Sequence, residues 1–215
     1  MRPLEQELRE GISEMPELVL DDAAVNRLLD YLLLIQKWTK VYNLTAVRDP
    51  QEMLTHHLLD SLAVISPLRR QLQGLENLRL LDVGSGAGLP GVVIAICCPE
   101  VAVSCVDTVG KKAAFIQQCA VALGLKNLKG VHARVENLTE RFDVVSSRAF
   151  ASLVDFTSWS VAVLAEQGAW MAMKGKHPAD EIAVLPSGVE VFHVEPLEVP
   201  GLGAERCVVW MRKRL

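Results

Sequence analysis

The sequence predicts an α/β chain: a mostly parallel seven-stranded sheet with helices on both faces, an antiparallel hairpin at one edge, and an N-terminal helical extension. Three observations predict it. Apolar residues recur with helical period up to about residue 77, then strand-like and helix-like runs alternate from residue 78. A glycine-rich turn, residues 84–91, stands between the first strand-like run and the helix after it. The last two strand-like runs have little helix between them, which suits an antiparallel pair. At about 150 residues per domain, 215 residues suit one main domain, 78–215, with an appended piece, 1–77.

Each element has a local cause. Asp21 can cap a long helix running to about Leu44, and Val25, Leu28, Leu29, Leu32 and Ile35 line one face. Tyr31, Leu34, Trp38 and Val41 form a second stripe, so this helix is expected to be buried on more than one side. Asp49, Pro50 and Glu52 mark the next start, followed by a stripe of Leu54, Leu58, Leu62 and Ile65. Pro67 and Gly74 are expected to punctuate its exit. Strands follow over 78–83, 101–107, 128–133, 142–147, 169–174, 189–195 and 204–212, and helices over 90–98, 111–123 and 152–165. Pro99 and Gly124 are placed to stop the first two of those helices.

Composition narrows the class. Half of the residues are hydrophobic and 22% charged, which excludes a disordered tail or a coiled-coil rod. No apolar run nears the roughly 18 residues of a membrane span, and the first residues lack a signal peptide's apolar stretch. A soluble cytoplasmic protein without membrane contact is expected. The net charge is −4, but the first 30 residues hold three basic and eight acidic side chains, leaving the other 185 at +1. A local basic patch for RNA is therefore compatible with the total. The five cysteines are odd in number and show no C-x-x-C, so reduced core thiols are expected rather than disulfides or a metal site. His56 and His57 with Asp60 have no third strong ligand nearby and are read as helix packing or a hydrogen-bonded histidine.

The chemistry concentrates in Asp82-Val-Gly84-Ser85-Gly86-Ala-Gly88-Leu89-Pro-Gly91. Ligands of open α/β sheets bind outside the carboxyl ends of the strands, where this loop lies. Gly86-x-Gly88-x-x-Gly91 can be read as a dinucleotide fingerprint. Two acids favour a different ligand. Asp82 would repel a pyrophosphate, and Asp107, 23 residues after Gly84, is placed to accept ribose hydroxyls. S-adenosylmethionine has a ribose, an ammonium and a sulfonium and no phosphate, and suits both.

This loop resembles that of the class I methyltransferases, whose fold is Rossmann-like. Its Leu-Pro-Gly tail narrows the resemblance, as do Trp38-Thr-Lys-Val-Tyr-Asn-Leu-Thr45, His57-Leu-Leu-Asp60-Ser61, Ser147-Arg-Ala-Phe-Ala-Ser-Leu153 and Lys174-Gly175. Together they resemble the RsmG (GidB) family of bacterial small-subunit rRNA guanine-N7 methyltransferases, from about Leu28 to Met211. The resemblance implies S-adenosylmethionine held at Gly84, Leu89, Val135, Glu136 and Arg148. It also implies methylation of one guanosine in the 530 loop of 16S rRNA, free or within the small ribosomal subunit.

Guanine N7 has an in-plane lone pair and no proton, so no catalytic base is named. Arg148 is expected at the crevice as a donor to guanine O6, cofactor or phosphate. Phe150 is placed to stack a flipped base or to fill the core. Lys174 is placed to neutralise a phosphate. Lys111-Lys112 and Arg212-Lys213-Arg214 are further candidate contacts with RNA backbone. Two rivals remain: an NAD(P)-dependent oxidoreductase, resting on the glycine spacing, and a non-catalytic RNA-binding module on the same fold.

Overall fold

The structure, a computed structural model, describes residues 2–15, 17–148 and 151–214. Five α-helices come first: α1 (Arg2–Glu14), α2 (Asp22–Tyr42), α3 (Pro50–Met53), α4 (Asp60–Leu62) and α5 (Ile65–Leu72). A π-helical turn, Leu54–Leu59, joins α3 to α4. Both expected caps are present. Asp21 accepts from Ala24 N at 2.7 Å, and Asp49 from Gln51 N and Glu52 N. Asn43 ends α2 in a left-handed conformation at φ 51°. Leu54, Leu58, Leu62 and Ile65 are buried as the stripe requires. Pro67 does not end a helix; it sits in the first turn of α5, where a missing N–H costs no hydrogen bond.

The sheet follows: β1 (Arg79–Val83), β2 (Ala102–Asp107), β3 (Leu128–His132), β4 (Phe142–Arg148), β5 (Leu164–Lys174), β6 (Val189–Pro196) and β7 (Cys207–Lys213). Its order is β3-β2-β1-β4-β5-β7-β6. The first five strands are parallel, and β7 runs antiparallel to both β5 and β6. Between them lie α6 (Gly91–Cys97), α7 (Gly110–Ala122), α8 (Leu153–Ser160) and α9 (Ala179–Ala183).

Strand alternation splits the core into two layers. Leu80, Val103, Cys105 and Val144 face α6, α7 and the N-terminal helices. Leu81, Val83, Val106 and Val145 face α8. Every residue of α6 is buried, because it lies between β2 on one side and α2 and α4 on the other. The helix expected over 152–165 stops at Ser160. Leu164 instead pairs with Phe142 and opens β5; a short apolar run does not distinguish strand from helix by its period. The last strand likewise starts at Cys207 rather than 204. All five cysteines are free and buried, and burial pushes each thiol up. Among the described residues, no helix is long and apolar enough to cross a membrane.

Candidate active site

The order of the strands reverses between β1 and β4, so a crevice opens at the carboxyl ends of β1, β2 and β4. The glycine loop fills its floor. Gly84, Gly86 and Gly88 all have positive φ, which only glycine adopts without strain. At Gly88 a Cβ would lie 2.4 Å from Val92 Cγ2, and at Gly91 2.3 Å from Cys105 Sγ. At Gly86 nothing lies closer than 3.9 Å. Gly88 and Gly91 thus allow the loop to pack, while Gly86 borders open space.

Six of the loop's N–H groups are used inside the chain. Gly84 and Ser85 donate to Val106 O, Gly86 to Asp107 Oδ2, Gly88 and Leu89 to Ser85 O, Gly91 to Asp82 Oδ2, and Val92 to Gly88 O. A dinucleotide site keeps such donors for its pyrophosphate. A loop with most of its donors taken suits a ligand that donates, such as an ammonium group, and the residues therefore fit S-adenosylmethionine.

Asp82 is placed differently from the expectation that it touches the ligand. It is fully buried beneath the loop, with Oδ2 bonded to Gly91 N at 3.1 Å and Oδ1 to Ser146 Oγ at 2.9 Å. It lines none of the clefts described below, so its carboxylate anchors the loop from beneath. Burial lifts its pKa to about 7 despite those two donors. The folded state then holds a proton that the unfolded chain releases near pH 4. That favourable contribution is present at low pH and lost as pH rises towards 7. Asp82→Asn cannot titrate. Its stability relative to wild type should rise by more than about 1 kcal/mol between pH 4.5 and 7.5. Denaturant titrations at the two pH values check this, and a constant difference would contradict it.

Asp107 ends β2 and is buried. Its Oδ1 accepts from Val109 N at 2.8 Å and its Oδ2 from Gly86 N at 3.0 Å, with Lys112 Nζ 3.8 Å away. A carboxylate has about four lone-pair sites, so capacity for hydroxyl donors remains. It lines a cleft of about 470 Å³ with Gly84, Val135, Glu136, Lys112 and Trp159. Val135 forms a buried wall there, and Glu136 is exposed at the rim of the same short 3₁₀ turn. Ser85, Gly86 and Leu89 line a smaller cleft of about 170 Å³ with Thr45, His57 and Arg148. Gly84 borders both.

A third cleft, about 330 Å³, holds His56, Asp60, Arg148, Lys174 and Arg206. Arg148 ends β4 and donates through Nη1 to Asp60 Oδ2 at 2.7 Å and to His56 O at 2.8 Å. Lys174 is not a free cation: its Nζ lies 2.8 and 3.0 Å from the two carboxylate oxygens of Glu181. Phe150 lies outside the described residues. His57 Nε2 is 2.9 Å from Thr45 Oγ1, and burial, with Arg148 nearby, lowers the imidazole to about 4, leaving it neutral at pH 7. Of the other candidate RNA contacts, Lys111 lies over the Tyr42 ring, Arg212 pairs with Glu190, and Lys213 donates to Leu164 O.

Sequence reasoning missed two residues here. Tyr31 donates to Ala87 O at 2.5 Å and so ties α2 to the glycine loop. Arg206 donates through Nε to the other oxygen of Asp60 at 2.7 Å. Tyr31 carried a signal, a polar tip within an apolar stripe. Arg206 carried none.

The sheet order, the loop and the acid ending β2 define a class I S-adenosylmethionine-dependent methyltransferase. Solved structures share the fold. TrmN from Thermus thermophilus aligns with a TM-score of 0.58 at 20% identity, over 75% of this chain and 53% of that one. RsmC from the same organism, a 16S rRNA methyltransferase in complex with AdoMet and guanosine, aligns with a TM-score of 0.55 at 20% identity, over 72% and 43%. The family model described as rRNA small subunit methyltransferase G matches residues 24–209. The protein of that name from Albidiferax ferrireducens is 67% identical over 222 residues, 99% of each chain, and the one from Polaromonas sp. is 68% identical over 99% and 95%. The chain belongs to the rRNA small subunit methyltransferase G family.

Proposed function

We propose that this enzyme methylates N7 of one guanosine in the 530 loop of 16S rRNA, working in the cytoplasm on the RNA or the small subunit. The observation that carries the N7 reading is the state of the polar groups around Arg148. Asp60 is taken by two arginines, Lys174 by Glu181, and His57 is neutral and bonded to Thr45. None of these described groups is poised to accept a proton from a substrate. A nucleophile that brings its own lone pair, as guanine N7 does, needs no such group.

When bound, S-adenosylmethionine supplies an electrophilic methyl group. The chain's own residues do the rest. Asp107 accepts the ribose hydroxyls, Val135 and Glu136 flank the base end, and Gly84, Ser85, Gly86 and Leu89 face the methionine end. Arg148 lines both the small cleft and the third cleft, where it orients the guanine against the cofactor. Lys174, with its charge shared with Glu181, borders the RNA side, and Phe150 follows Arg148 by two residues. Alignment and exclusion of water are the whole of the catalytic task. Residues 1–77 form a helical extension of the catalytic domain 78–215, and they serve it through Tyr31, Thr45, His57 and Asp60.

Mass spectrometry of 16S rRNA from cells with and without the gene tests the reading. Loss of one N7-methylguanosine from the 530 loop is expected; an unchanged rRNA, or loss of another modification, would overturn it. The cofactor assignment has its own test. Asp107→Ala should weaken S-adenosylmethionine binding by roughly 1–3 kcal/mol, because two ribose hydroxyls lose their acceptor. Calorimetry on the folded variant measures this, and unchanged affinity would remove Asp107 from the ribose.

A further inference from the structure

Asp60 touches neither the cofactor nor the guanine in the methyl transfer derived above, yet it is only 3% exposed at the edge of the third cleft. It follows the π turn, where the helical run 50–62 meets the carboxyl ends of the sheet. Each of its oxygens accepts from a different arginine at 2.7 Å. Those arginines come from the end of β4 and the residue before β7, strands that β5 separates. Each is braced a second time through Nη1, Arg148 on His56 O and Arg206 on Glu205 O, both at 2.8 Å.

Two guanidinium groups side by side repel each other, and the carboxylate between them offsets this and fixes both planes. The cluster keeps a net charge of +1, since Lys174 is paired with Glu181. Among the described residues no hydrogen bond uses Nη2 of either arginine. One unit of positive charge and forked donors beside a cleft match a phosphodiester, which carries one negative charge and two free oxygens.

We propose that Asp60 is a positioning residue for methyl transfer, locking Arg148 and Arg206 into a fixed pair that holds one RNA phosphodiester, the contact through which Arg148 orients the neighbouring guanine. This rests on the rRNA reading above. A carboxylate that merely adds negative charge and one that positions the arginines predict opposite results. In the first case Asp60→Asn tightens RNA binding and leaves the rate alone. In the second, the single-turnover rate at saturating RNA and S-adenosylmethionine falls at least about tenfold, and RNA binding does not tighten.

The experiment compares wild type, Asp60→Asn, Arg206→Gln and the double variant in single-turnover methylation of 16S rRNA or small subunits, with RNA affinity measured against salt. Both single variants should slow turnover while S-adenosylmethionine affinity stays near wild type. Arg206→Gln should lower the salt slope of RNA binding by about one phosphate. The double variant should be little slower than the worse single one, because both disrupt one unit. Wild-type turnover in the single variants, tighter RNA binding in Asp60→Asn, or additive losses would overturn the proposal. If Asp60→Asn fails to fold by circular dichroism, Arg206→Gln decides alone, and an unchanged rate and salt slope count against it. A wild-type protein that methylates no rRNA would overturn the functional reading and this inference with it; active wild type with unaffected variants would overturn only the inference.

Discussion

Gly86→Val is expected to lose at least about 100-fold in S-adenosylmethionine affinity, roughly 2.8 kcal/mol, while the protein stays folded. The two parts of this result have separate causes. Folding survives because a Cβ at Gly86 meets nothing closer than 3.9 Å. Binding fails because that open space is the cleft itself, bordered by Ser85, Leu89 and Arg148, and a branched side chain fills it. A left-handed backbone at φ +58 adds strain of about 1–2 kcal/mol for any residue with a Cβ. Gly124→Val isolates that strain. Gly124 has φ +64, nothing within 4 Å, and a place at the far end of α7. It should lose similar stability and bind S-adenosylmethionine normally. Calorimetry and thermal denaturation of both variants check the pair. Normal binding by Gly86→Val would make the loop a structural turn and nothing more.

Arg148→Ala is expected to slow single-turnover methylation by about 100-fold, by the same factor at every pH from about 6 to 9. The size follows from geometry. Arg148 borders two clefts, one at the glycine loop and one beside Asp60, Lys174 and Arg206, so under the proposed function its loss loosens the alignment of guanine and cofactor. The flatness follows from charge. Arginine stays protonated across this range, and His57, lowered to about 4, stays neutral. The Asp82 carboxyl, lifted to about 7, does titrate in this range, but it is sealed beneath the loop and lines none of the three clefts, so it takes no proton from a substrate. Arg148→Lys should remain slow, because Arg148 uses Nη1 alone on Asp60 and His56 O and keeps further donors in the same plane, which a single ammonium lacks. Rates measured with saturating RNA and S-adenosylmethionine across that range decide the matter. A tenfold rise per pH unit in wild type would indicate a general base and a different target atom. Full activity in Arg148→Ala would remove the residue from the site.

The sequence by itself determined what depends on neighbours along the chain. Asp21 and Asp49 cap helices because their oxygens reach N–H groups two or three residues on, and that spacing is visible in the letters. The alternation of strands and helices, the turn at Gly84–Gly86 and the acid ending β2 are equally local. They were enough to place the crevice, and they favoured S-adenosylmethionine over a dinucleotide only together with Asp82, whose burial beneath the loop the sequence did not show. Ends of elements were less legible. Leu164 opens a strand because β4 lies beside it, and Pro67 is tolerated because it falls in a first turn.

What only the tertiary structure decided involves partners far apart in sequence. Tyr31 reaches Ala87 across 56 residues, and Arg206 reaches Asp60 across 146. Whether a charge is free also belongs to this class. Lys174 looks like a phosphate ligand until Glu181 comes alongside it, and Asp82 looks like a ligand contact until the loop closes over it, away from every cleft. The physical reason is the same in each case. Periodicity and caps act over a turn of helix or a pair of residues, whereas the energy of a buried charge depends on every group the fold packs against it, and those groups arrive from other strands and helices.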